Sequence, residues 1–335
     1  MKNHISLFIF AIALLSGPVS ANDLSMTAVK DTLASIPGEH NYIYVRTPLG
    51  EDEEKNYDEI TFYDGLGREL DFAQSYGADR AGAIMAHHHL IEYDSLGRKE
   101  KQWLSTNTSF SYMSPEDLKG GVLWDYHDAG KRSYLQTNYE SSPLNRITEQ
   151  YGVGDAWGDH PARMEYLTNI PADSLRCSFY FIDDNDSLIR RGDYRSGELQ
   201  VTKATDEDGK PTYTFVDKQG RTLLTRLGRG NQQADTYFVF DRFGRIRYVL
   251  PPMINDEISA GNLDLYAYQY LYDSFGRCIS KKLPGCAAIR YVYDKADRVI
   301  LSQNGNQSQK KEWTFTFYDN QGRLALTGLC SFNDP

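Results

Sequence analysis

The sequence has no excess of positive charge and, beyond its first 21 residues, no long apolar run. Among 335 residues there are 36 Lys or Arg and 46 Asp or Glu, which gives a formal net charge of −10. A nucleic-acid-binding protein typically has clustered positive charge, so we do not expect this chain to bind nucleic acid. No stretch after residue 21 is apolar enough to span a bilayer, and we do not expect an integral membrane protein.

Cysteine is also scarce, and none of the 4 cysteines lies in the Cys-x-x-Cys pair typical of zinc or thioredoxin-type sites. Outside the cytoplasm, four cysteines can form up to two disulfides in three different pairings. A chain of this length can equally bury free thiols without such cross-links. The sequence therefore leaves the pairing open for Cys177, Cys278, Cys286 and Cys330.

Common catalytic motifs are missing as well: there is no Gly-x-Ser-x-Gly, His-Glu-x-x-His or phosphate-binding loop. Segment 152–158 has glycines like a dinucleotide loop, but its last Gly comes one residue late and no βαβ pattern surrounds it. The Asp-rich runs 183–186 and 206–209 are typical of turns. Counted from Asp183, the twelfth position of a calcium loop holds Tyr194 rather than Glu. We predict no catalytic residue, no cofactor and no metal ion.

Three consecutive histidines, His87, His88 and His89, are the most visible candidates for metal ligands. Two others that could join them are His127 and His160. Consecutive residues of a strand point to opposite faces, so three in a row converge on one metal only in an irregular loop. We expect the histidines to lie in a solvated loop that leads into a strand over 89–93.

The first 21 residues are typical of a secretory signal peptide. Lys2 precedes an uncharged apolar run over 5–15, and the small residues of 19–21 follow. The run is shorter than the roughly 17–25 residues that a membrane span needs. We expect cleavage after Ala21 and export to the periplasm, the cell surface or the medium. Residue 22 is Asn22 rather than Cys, so a lipid anchor is not indicated.

Aromatic residues make up 13% of the chain and 27 residues are Gly, a composition that favours strands and tight turns. In segment 312–318 the aromatic residues Trp313, Phe315 and Phe317 fall on one face of a strand. Segment 266–272 has the same alternation, with Tyr at every second position. A period of two predicts half-buried strands, and hence a β-rich protein.

A short repeat recurs along the chain: an aromatic residue or Val, then Asp, two variable residues, Gly and Arg. Six copies follow this template, and two variant copies have Asp or Asn in place of Gly. Asp opens a type I turn by accepting a backbone N–H, and the fourth residue takes a left-handed conformation, which is a common β-hairpin connection. The residues assigned to these turns are Asp64, Gly67, Arg68, Asp94, Gly97, Arg98, Asn145, Arg146, Asp217, Gly220, Arg221, Asp241, Gly244, Arg245, Asp273, Gly276, Arg277, Asp294, Asp297, Arg298, Asp319, Gly322 and Arg323.

Regular recurrence favours a structural role for these residues. Asp is expected to hold the turn, while Arg covers aromatic faces or pairs locally. Because a lone hairpin is only marginally stable in water, neighbouring hairpins must stack to bury a shared apolar face. The spacing of the copies is irregular, which fits poorly with a propeller of even blades.

The repeat resembles the YD repeat of the Rhs proteins, which are related to the teneurin shell. The chain is also similar to the N-terminal module of unknown function in secreted Rhs-repeat proteins of Gram-negative, Bacteroides-type envelopes. The resemblance covers about residues 40 to 330. The segments that carry it, besides the repeats, are 41–47, 60–68, 151–154 with Trp157, 166–169 and 248–252.

The resemblance implies an all-β fold in which repeated antiparallel β-hairpins stack into an extended, curved YD-repeat sheet. In full-length members such a sheet forms a hollow shell around a C-terminal effector. The present chain is expected to be a short or truncated member, too short to close a full shell and ending without core or effector region. The expected divisions are a signal peptide (1–21), a lead-in (22–39), an Rhs-type module with YD-like hairpins (40–252) and further YD repeats (253–335).

These observations predict an exported, non-enzymatic Rhs/YD-repeat protein that serves as a shell segment or surface scaffold in a polymorphic-toxin or interbacterial-interaction system. The expected partners are other Rhs/YD-repeat segments or an effector encoded downstream, and not nucleic acid. The alternative is an envelope adhesin that recognises a glycan or a partner protein through an aromatic-rich β-surface. A polysaccharide hydrolase with two carboxylates is a third hypothesis, although no carboxylate pair stands out from the turn Asp residues.

Overall fold

The computed structural model describes residues 36, 40–48, 56–78, 84–228, 233–254 and 256–331. Contacts divide the chain between Ala162 and Arg163 into an N-terminal and a C-terminal unit. The expected signal peptide lies outside the described residues, as does the expected lead-in apart from Ile36. The module boundary expected after residue 252 stays a prediction.

The N-terminal unit is built from antiparallel strands that follow one another along the chain. Strands β1 to β4 pair in succession, and β4 then pairs with β6 through its first half and with β5 through its second half. Strand β5 continues to β7, and β7 to β8. These strands are β1 (Asn41–Pro48), β2 (Asn56–Tyr63), β3 (Glu69–Ala78), β4 (Ile84–Tyr93), β5 (Lys99–Trp103), β6 (Thr106–Ser109), β7 (Tyr134–Tyr139) and β8 (Ile147–Tyr151).

Alternation along these strands explains the core of the N-terminal unit. Ile60 and Phe62 are two residues apart on β2, so both face the interior, where they meet Ala73 of β3 and Ala86 of β4. Helix α1 (Pro115–Asp125) begins after Ser114, whose side chain accepts the backbone N–H of Asp117. Its buried residues are Leu118 and Val122, one helical turn apart.

The C-terminal unit is a longer antiparallel meander. Strand β9 pairs with β12, and from β12 to β22 each strand pairs with the next, whereas β10 and β11 form a separate two-stranded hairpin. The strands are β9 (Ala162–Thr168), β10 (Ser178–Ile182), β11 (Leu188–Asp193), β12 (Gln200–Thr205), β13 (Pro211–Val216), β14 (Thr222–Leu227), β15 (Ala234–Phe240), β16 (Ile246–Leu250), β17 (Tyr268–Tyr272), β18 (Cys278–Lys282), β19 (Ile289–Tyr293), β20 (Val299–Gln303), β21 (Glu312–Tyr318) and β22 (Leu324–Ser331).

Helices in the C-terminal unit are short and occur between hairpins. Helix α2 (Ala260–Tyr266) connects β16 to β17, and α3 (Gly305–Lys310) connects β20 to β21. Single 3₁₀ turns occur in both units, at His127–Ala129, Asp155–Trp157, Asp173–Leu175 and Pro252–Ile254. Within the described residues, no helix combines the length and the apolarity that crossing a bilayer requires.

Burial is uneven along the C-terminal meander. We call β12–β16 the packed half, because residues such as Phe215, Leu224 and Val239 form a buried cluster there that includes Tyr180 of β10. We call β17–β22 the open half. Of its described residues, only Gln303 and Trp313 are buried. The two halves share one strand order but not one mode of packing.

The all-β architecture of stacked antiparallel hairpins is confirmed, and in the described part of the C-terminal unit the strand series is open rather than closed into a barrel. The strand predicted over 266–272 is partly wrong. Tyr266 ends α2 instead: Ser259 caps the start of this helix by accepting the N–H of Asn262, and the N–H of Ala267 closes its last turn on the carbonyl of Leu263. The strand begins at Tyr268.

The solvated loop predicted at the three histidines is also wrong. They lie inside β4, and His88 is almost fully buried. Its Nδ1 is 2.7 Å from Oδ2 of Asp71, and its Nε2 is 3.0 Å from the carbonyl oxygen of Ser109. Because both ring nitrogens have partners, His88 can occupy an inward position of β4.

None of the four cysteines, all of which are described, forms a disulfide. Cys177 belongs to the buried cluster of the packed half, although it precedes β10 in the chain, and burial raises the pKa of its thiol to about 12. Such a thiol stays protonated at neutral pH and acts as a small apolar side chain. The disulfide pairing that the sequence left open is therefore resolved: all four cysteines are free thiols.

Candidate functional site

The repeated turns have one hydrogen-bonding scheme, for which Asp273 serves as the example. Its backbone N–H donates to the carbonyl of Arg277 (3.0 Å), and the N–H of Gly276 donates to the carbonyl of Asp273 (3.1 Å). One carboxylate oxygen accepts the N–H groups of Phe275 and Arg277, both at 2.9 Å. The other accepts Nε of Arg277 at 2.6 Å. With Gly276 at φ 87°, this is a type I turn closed by a left-handed residue.

The same bonds recur wherever the template occurs. In each turn the Asp carboxylate accepts two backbone N–H groups and the Arg side chain, so neither carboxylate oxygen is left without a donor. The other turns with this scheme are those of Asp64, Asp94, Asp217, Asp241, Asp294 and Asp319. Asp297 replaces Gly in one of them and takes φ 60°.

These bonds change the titration of the turn carboxylates. The backbone N–H of Arg298, and then its guanidinium, hold the pKa of Asp294 below its ordinary value. Arg323 lowers the pKa of Asp319 in the same way. At neutral pH these residues are ionised and paired, which is the opposite of what a general acid requires.

The longer variant turn after Tyr139 uses different residues for the same purpose. Glu140 accepts Nε and Nη2 of Arg146, both at 2.7 Å, and Asn145 takes the left-handed position at φ 54°. Ser142 accepts the N–H of Leu144 in place of an Asp. The guanidinium of Arg146, and then the Ser142 hydroxyl, lower the pKa of Glu140 to about 2.

Two further turns of this kind do not match the template, because they lack its Arg. Asp183 joins β10 to β11 and accepts the N–H of Ser187 at 2.7 Å. Asp206 joins β12 to β13 and accepts the N–H of Lys210 at 2.7 Å. An Asp followed three residues later by Asp or Gly was the signal that could have identified them. Both Asp-rich runs are therefore hairpin turns.

Consecutive hairpins are joined by their arginines. Six of the template arginines place the guanidinium over the aromatic ring that opens the next copy of the template, as Arg277 does over Tyr293 at 5.0 Å. We call this series the arginine ladder and each pair a rung. The rungs in the described residues are Arg68–Tyr93, Arg98–Tyr139, Arg221–Phe240, Arg245–Tyr272, Arg277–Tyr293 and Arg298–Tyr318.

The tyrosine of a rung makes a second connection between hairpins. The hydroxyl of Tyr293 donates to the carbonyl of Cys278 at 2.8 Å, and Cys278 directly follows the rung arginine. Arg277 in turn donates from Nη1 to the carbonyl of Asp294 at 3.1 Å. The same hydroxyl bond is made in the rungs of Tyr93, Tyr139, Tyr272 and Tyr318. In the rung of Arg221 the ring belongs to Phe240, which has no hydroxyl.

The rungs coincide with a fixed register between neighbouring hairpins. The third residue after the Arg always pairs with the third residue before the next aromatic. The fourth residue after the Arg pairs with the fourth residue before that aromatic. These pairs, one from each rung, are Asp71–Leu90, Lys101–Gln136, Leu224–Tyr237, Tyr248–Gln269, Ser280–Arg290 and Leu301–Phe315. Turn, stacking and register thus form one repeating joint.

The predicted site residues are therefore grouped by turn. Each Asp lies against its own Arg, and the turns follow one another through the rungs. No three His, Cys, Asp or Glu side chains among the described residues gather to hold a metal ion. The arrangement is suited to holding hairpins together.

Cavities lie in the C-terminal unit beside the β10–β11 hairpin. One of about 290 Å³ is lined by the rings of Phe179, Phe181 and Tyr194, and also by Arg221 and Asp241, which belong to hairpin turns.

A second cavity, of about 220 Å³, is bordered by Arg226 and Asp235. The guanidinium of Arg226 is buried, contacts Asp235 at 2.6 Å and donates to two backbone carbonyls. Its donors are used within the protein, so this arginine stabilises the fold.

Comparisons with known proteins agree with this architecture. Residues 41–168 match a domain of unknown function, DUF6443. The chain is similar to solved structures of TcdB2-TccC3 (13% identity, TM-score 0.56, 87% of this chain and 14% of that chain) and of TcdB2-TccC3-Cdc42 (14%, 0.57, 88% and 14%). A third is TcdB2-TccC3 without its hypervariable C-terminal region (13%, 0.57, 92% and 15%). No curated protein matches the chain.

At this level of identity the likeness shows the fold alone, and the chain spans about one seventh of the length of these structures. TcdB2-TccC3 is an Rhs/YD-repeat toxin complex. The resemblance found in the repeats is therefore confirmed in three dimensions, and the chain has the stacked-hairpin fold of Rhs/YD-repeat proteins.

Proposed function

We propose that this chain is an exported, non-enzymatic scaffold, either a segment of an Rhs-type shell or a surface scaffold in a polymorphic-toxin or interbacterial-interaction system. The observation that carries the proposal is the arginine ladder. The charged residues that recur along the chain are used in turns and rungs, where they join one hairpin to the next. Likeness of fold to an Rhs/YD-repeat toxin complex supports the same role.

Protonation also favours a scaffold over a hydrolase. A general acid needs a pKa near the working pH, whereas Asp294 and Asp319 are held below their ordinary values by their own arginines. The repeat carboxylates are therefore poor candidates for acid–base catalysis. In the proposed scaffold these carboxylates hold the hairpin turns.

Export and partnership can be tested together in the native organism. We expect the mature protein in the envelope or medium to begin at Asn22, as N-terminal sequencing would show. We also expect affinity purification of the tagged full chain to recover a protein with YD repeats or a neighbouring effector. Recovery of an uncleaved cytoplasmic protein without such a partner would contradict the proposal.

A second candidate function is glycan binding by an envelope adhesin, and the 290 Å³ cavity favours it. Aromatic rings at Phe179, Phe181 and Tyr194 offer stacking faces beside polar groups. A glycan array with the full chain tests this candidate. Loss of a signal in Phe181→Ala, with no loss in Phe275→Ala at an exposed turn, would support it; an array without signals would eliminate it.

A further inference from the structure

At one edge of the open half, the described residues include no strand that continues the series. Among the described residues, β22 pairs with β21 and with no other strand. The strand carries no charge, and Leu324, Leu326 and Leu329 on it are exposed. Edge strands are usually protected by charged residues or proline, because free backbone groups invite pairing. An uncharged edge is therefore suited to being covered by another strand.

The last template arginine has the same incomplete environment. Arg323 bonds Asp319 at 2.7 Å, as in every other turn, but 74% of its side chain is exposed. Rung arginines are covered by the next aromatic ring, so that Arg245 is 25% exposed and Arg277 23%. No aromatic ring of the described residues lies over Arg323. It is half of a rung.

We propose that β22 and Arg323 bind a further hairpin of the same template, presented by a partner polypeptide, with Tyr as its aromatic residue. This inference rests on the proposed scaffold function and names the partner segment. The six existing joints fix its geometry. The incoming ring stacks on Arg323, and its hydroxyl donates to the carbonyl of Leu324.

The register of the docked hairpin follows from the same joints. Leu326 is the third residue after Arg323 and pairs with the third residue before the incoming Tyr. Thr327 pairs with the fourth. Arg323 also donates from Nη1 to the carbonyl of the incoming turn Asp, as Arg277 does to Asp294.

A second copy of β22 is a poorer occupant than such a hairpin. The tyrosine of its own hairpin, Tyr318, already stacks on Arg298 and donates to the carbonyl of Val299. Tyr318 is therefore not available to cover Arg323 of another copy. Pairing of two β22 strands would bury the leucines but leave both arginines uncovered.

The probe is a fluorescent synthetic peptide of residues 287–303, the β19–β20 hairpin with Tyr293, titrated against the full chain by anisotropy. We expect saturable binding. Tyr293→Phe in the peptide removes one hydrogen bond and weakens binding by about three- to tenfold. Arg323→Ala in the protein removes the stacking and weakens binding by roughly two- to fivefold. The matched control is Lys295→Ala in the protein, which removes an equal charge from an exposed turn. This variant should change the affinity for the peptide less than twofold.

Disulfide trapping tests the register directly. In full chain carrying Cys278→Ser, Cys286→Ser and Cys330→Ser, a Leu326→Cys variant should cross-link rapidly to peptide with Arg290→Cys, three residues before Tyr293. Peptide with Val292→Cys, one residue before it, should cross-link slowly, because directly opposite residues have the closest β-carbons. Circular dichroism melting checks that every protein variant is folded.

The inference would be overturned by no saturable binding to folded protein, by binding that is unaffected by Arg323→Ala, or by equal cross-linking of both peptides. Self-association of the full chain that the peptide cannot reverse would also overturn it in favour of a second copy. The docking of a further hairpin on β22 can be refuted without refuting the proposed scaffold function. A partner that still co-purifies with Arg323→Ala would leave the scaffold standing without this edge.

Discussion

The two halves of the C-terminal meander reach the same strand order by different means. In the packed half, Phe215 and Leu224 are fully buried, in a cluster that also includes Tyr180 of the β10–β11 hairpin. In the open half most side chains are only partly covered, yet the rungs of Arg277 and Arg298 lie within it, and the rung of Arg245 joins it to the packed half. A sheet with little buried core can thus be held together by repeated polar and stacking contacts between neighbouring hairpins.

The nature of these contacts explains why they suit an open sheet. A buried core gains stability from apolar area removed from water, which needs a second layer. A rung needs only the adjacent hairpin, since the Arg bonds its own Asp, stacks on the next ring and reaches the next turn. The open half can therefore stay one layer thick.

The largest expected difference in stability between the two halves follows from removing an aromatic ring from each. Phe215→Ala in the packed half should lower the free energy of unfolding by about 3–5 kcal/mol, through lost burial and the cavity left behind. Phe317→Ala in the open half should cost below about 1 kcal/mol, because the ring is 59% exposed. Urea unfolding of both variants measures the difference, and equal losses would refute the division into halves.

A smaller effect is expected at a left-handed turn position of the open half. Gly276 has φ 87°, and an added Cβ would meet nothing nearer than Arg245 Nη1 at 3.7 Å. Gly276→Ala should therefore cost about 1–2 kcal/mol through backbone strain rather than through a clash. The control is Gly65→Ala, at a turn position without positive φ and with open space around it. Thermal melts that rank the control as more harmful would contradict this explanation.

Removing one rung hydroxyl should have a smaller effect again. Tyr293→Phe deletes the bond to the Cys278 carbonyl and keeps the ring over Arg277, at an expected cost of about 0.5–1.5 kcal/mol. Tyr291→Phe on the same strand serves as the matched control. Amide hydrogen exchange in β18 and β19 should speed up in the first variant only; an equal change in both would show that the hydroxyl bond is not what joins the hairpins.

Acid should loosen the turns gradually, with the smallest effect per residue. Hydrogen bonds from Arg298 and Arg323 lower the folded-state pKa values of Asp294 and Asp319. A lowered folded pKa contributes stability above the unfolded value of about 3.9, and this is lost as pH falls through the folded value. Hydrogen exchange at pH 5 and pH 3 should thus show earlier opening in β17–β22 than in β12–β16. Loss of the packed half first would contradict the role of the turns.

Part of this architecture was predictable from local chemistry. Asp273 and Gly276 are close in sequence, so the template predicts their turn without knowledge of the fold. The run at Asp183 was predicted to be a turn but was not recognised as a copy of the repeat, because its arginine is absent and the bonds that remain are to the backbone. The pattern of a strand also stops being readable where a polar residue such as His88 turns inward and finds partners on other strands.

The contacts between neighbouring hairpins could not be predicted from the sequence for a different reason. The arginine was expected to cover an aromatic face, but which ring it meets depends on a strand that can lie 17 to 42 residues away, as the bonds of Arg277 and Arg98 show. Spacing between copies is irregular, so no fixed offset along the chain reveals the partner. The fixed register becomes visible only when the strands are paired.

That register has a consequence for changes in chain length. A single-residue deletion between Arg277 and Tyr293 would shift Arg290 away from Ser280 and turn alternate side chains to the wrong face. Removing the 21 residues 273–293 would instead join Tyr272 to Asp294 and restore an intact template. The whole hairpin is therefore the unit by which such a protein can be shortened or lengthened, because smaller insertions or deletions break the register between neighbouring hairpins.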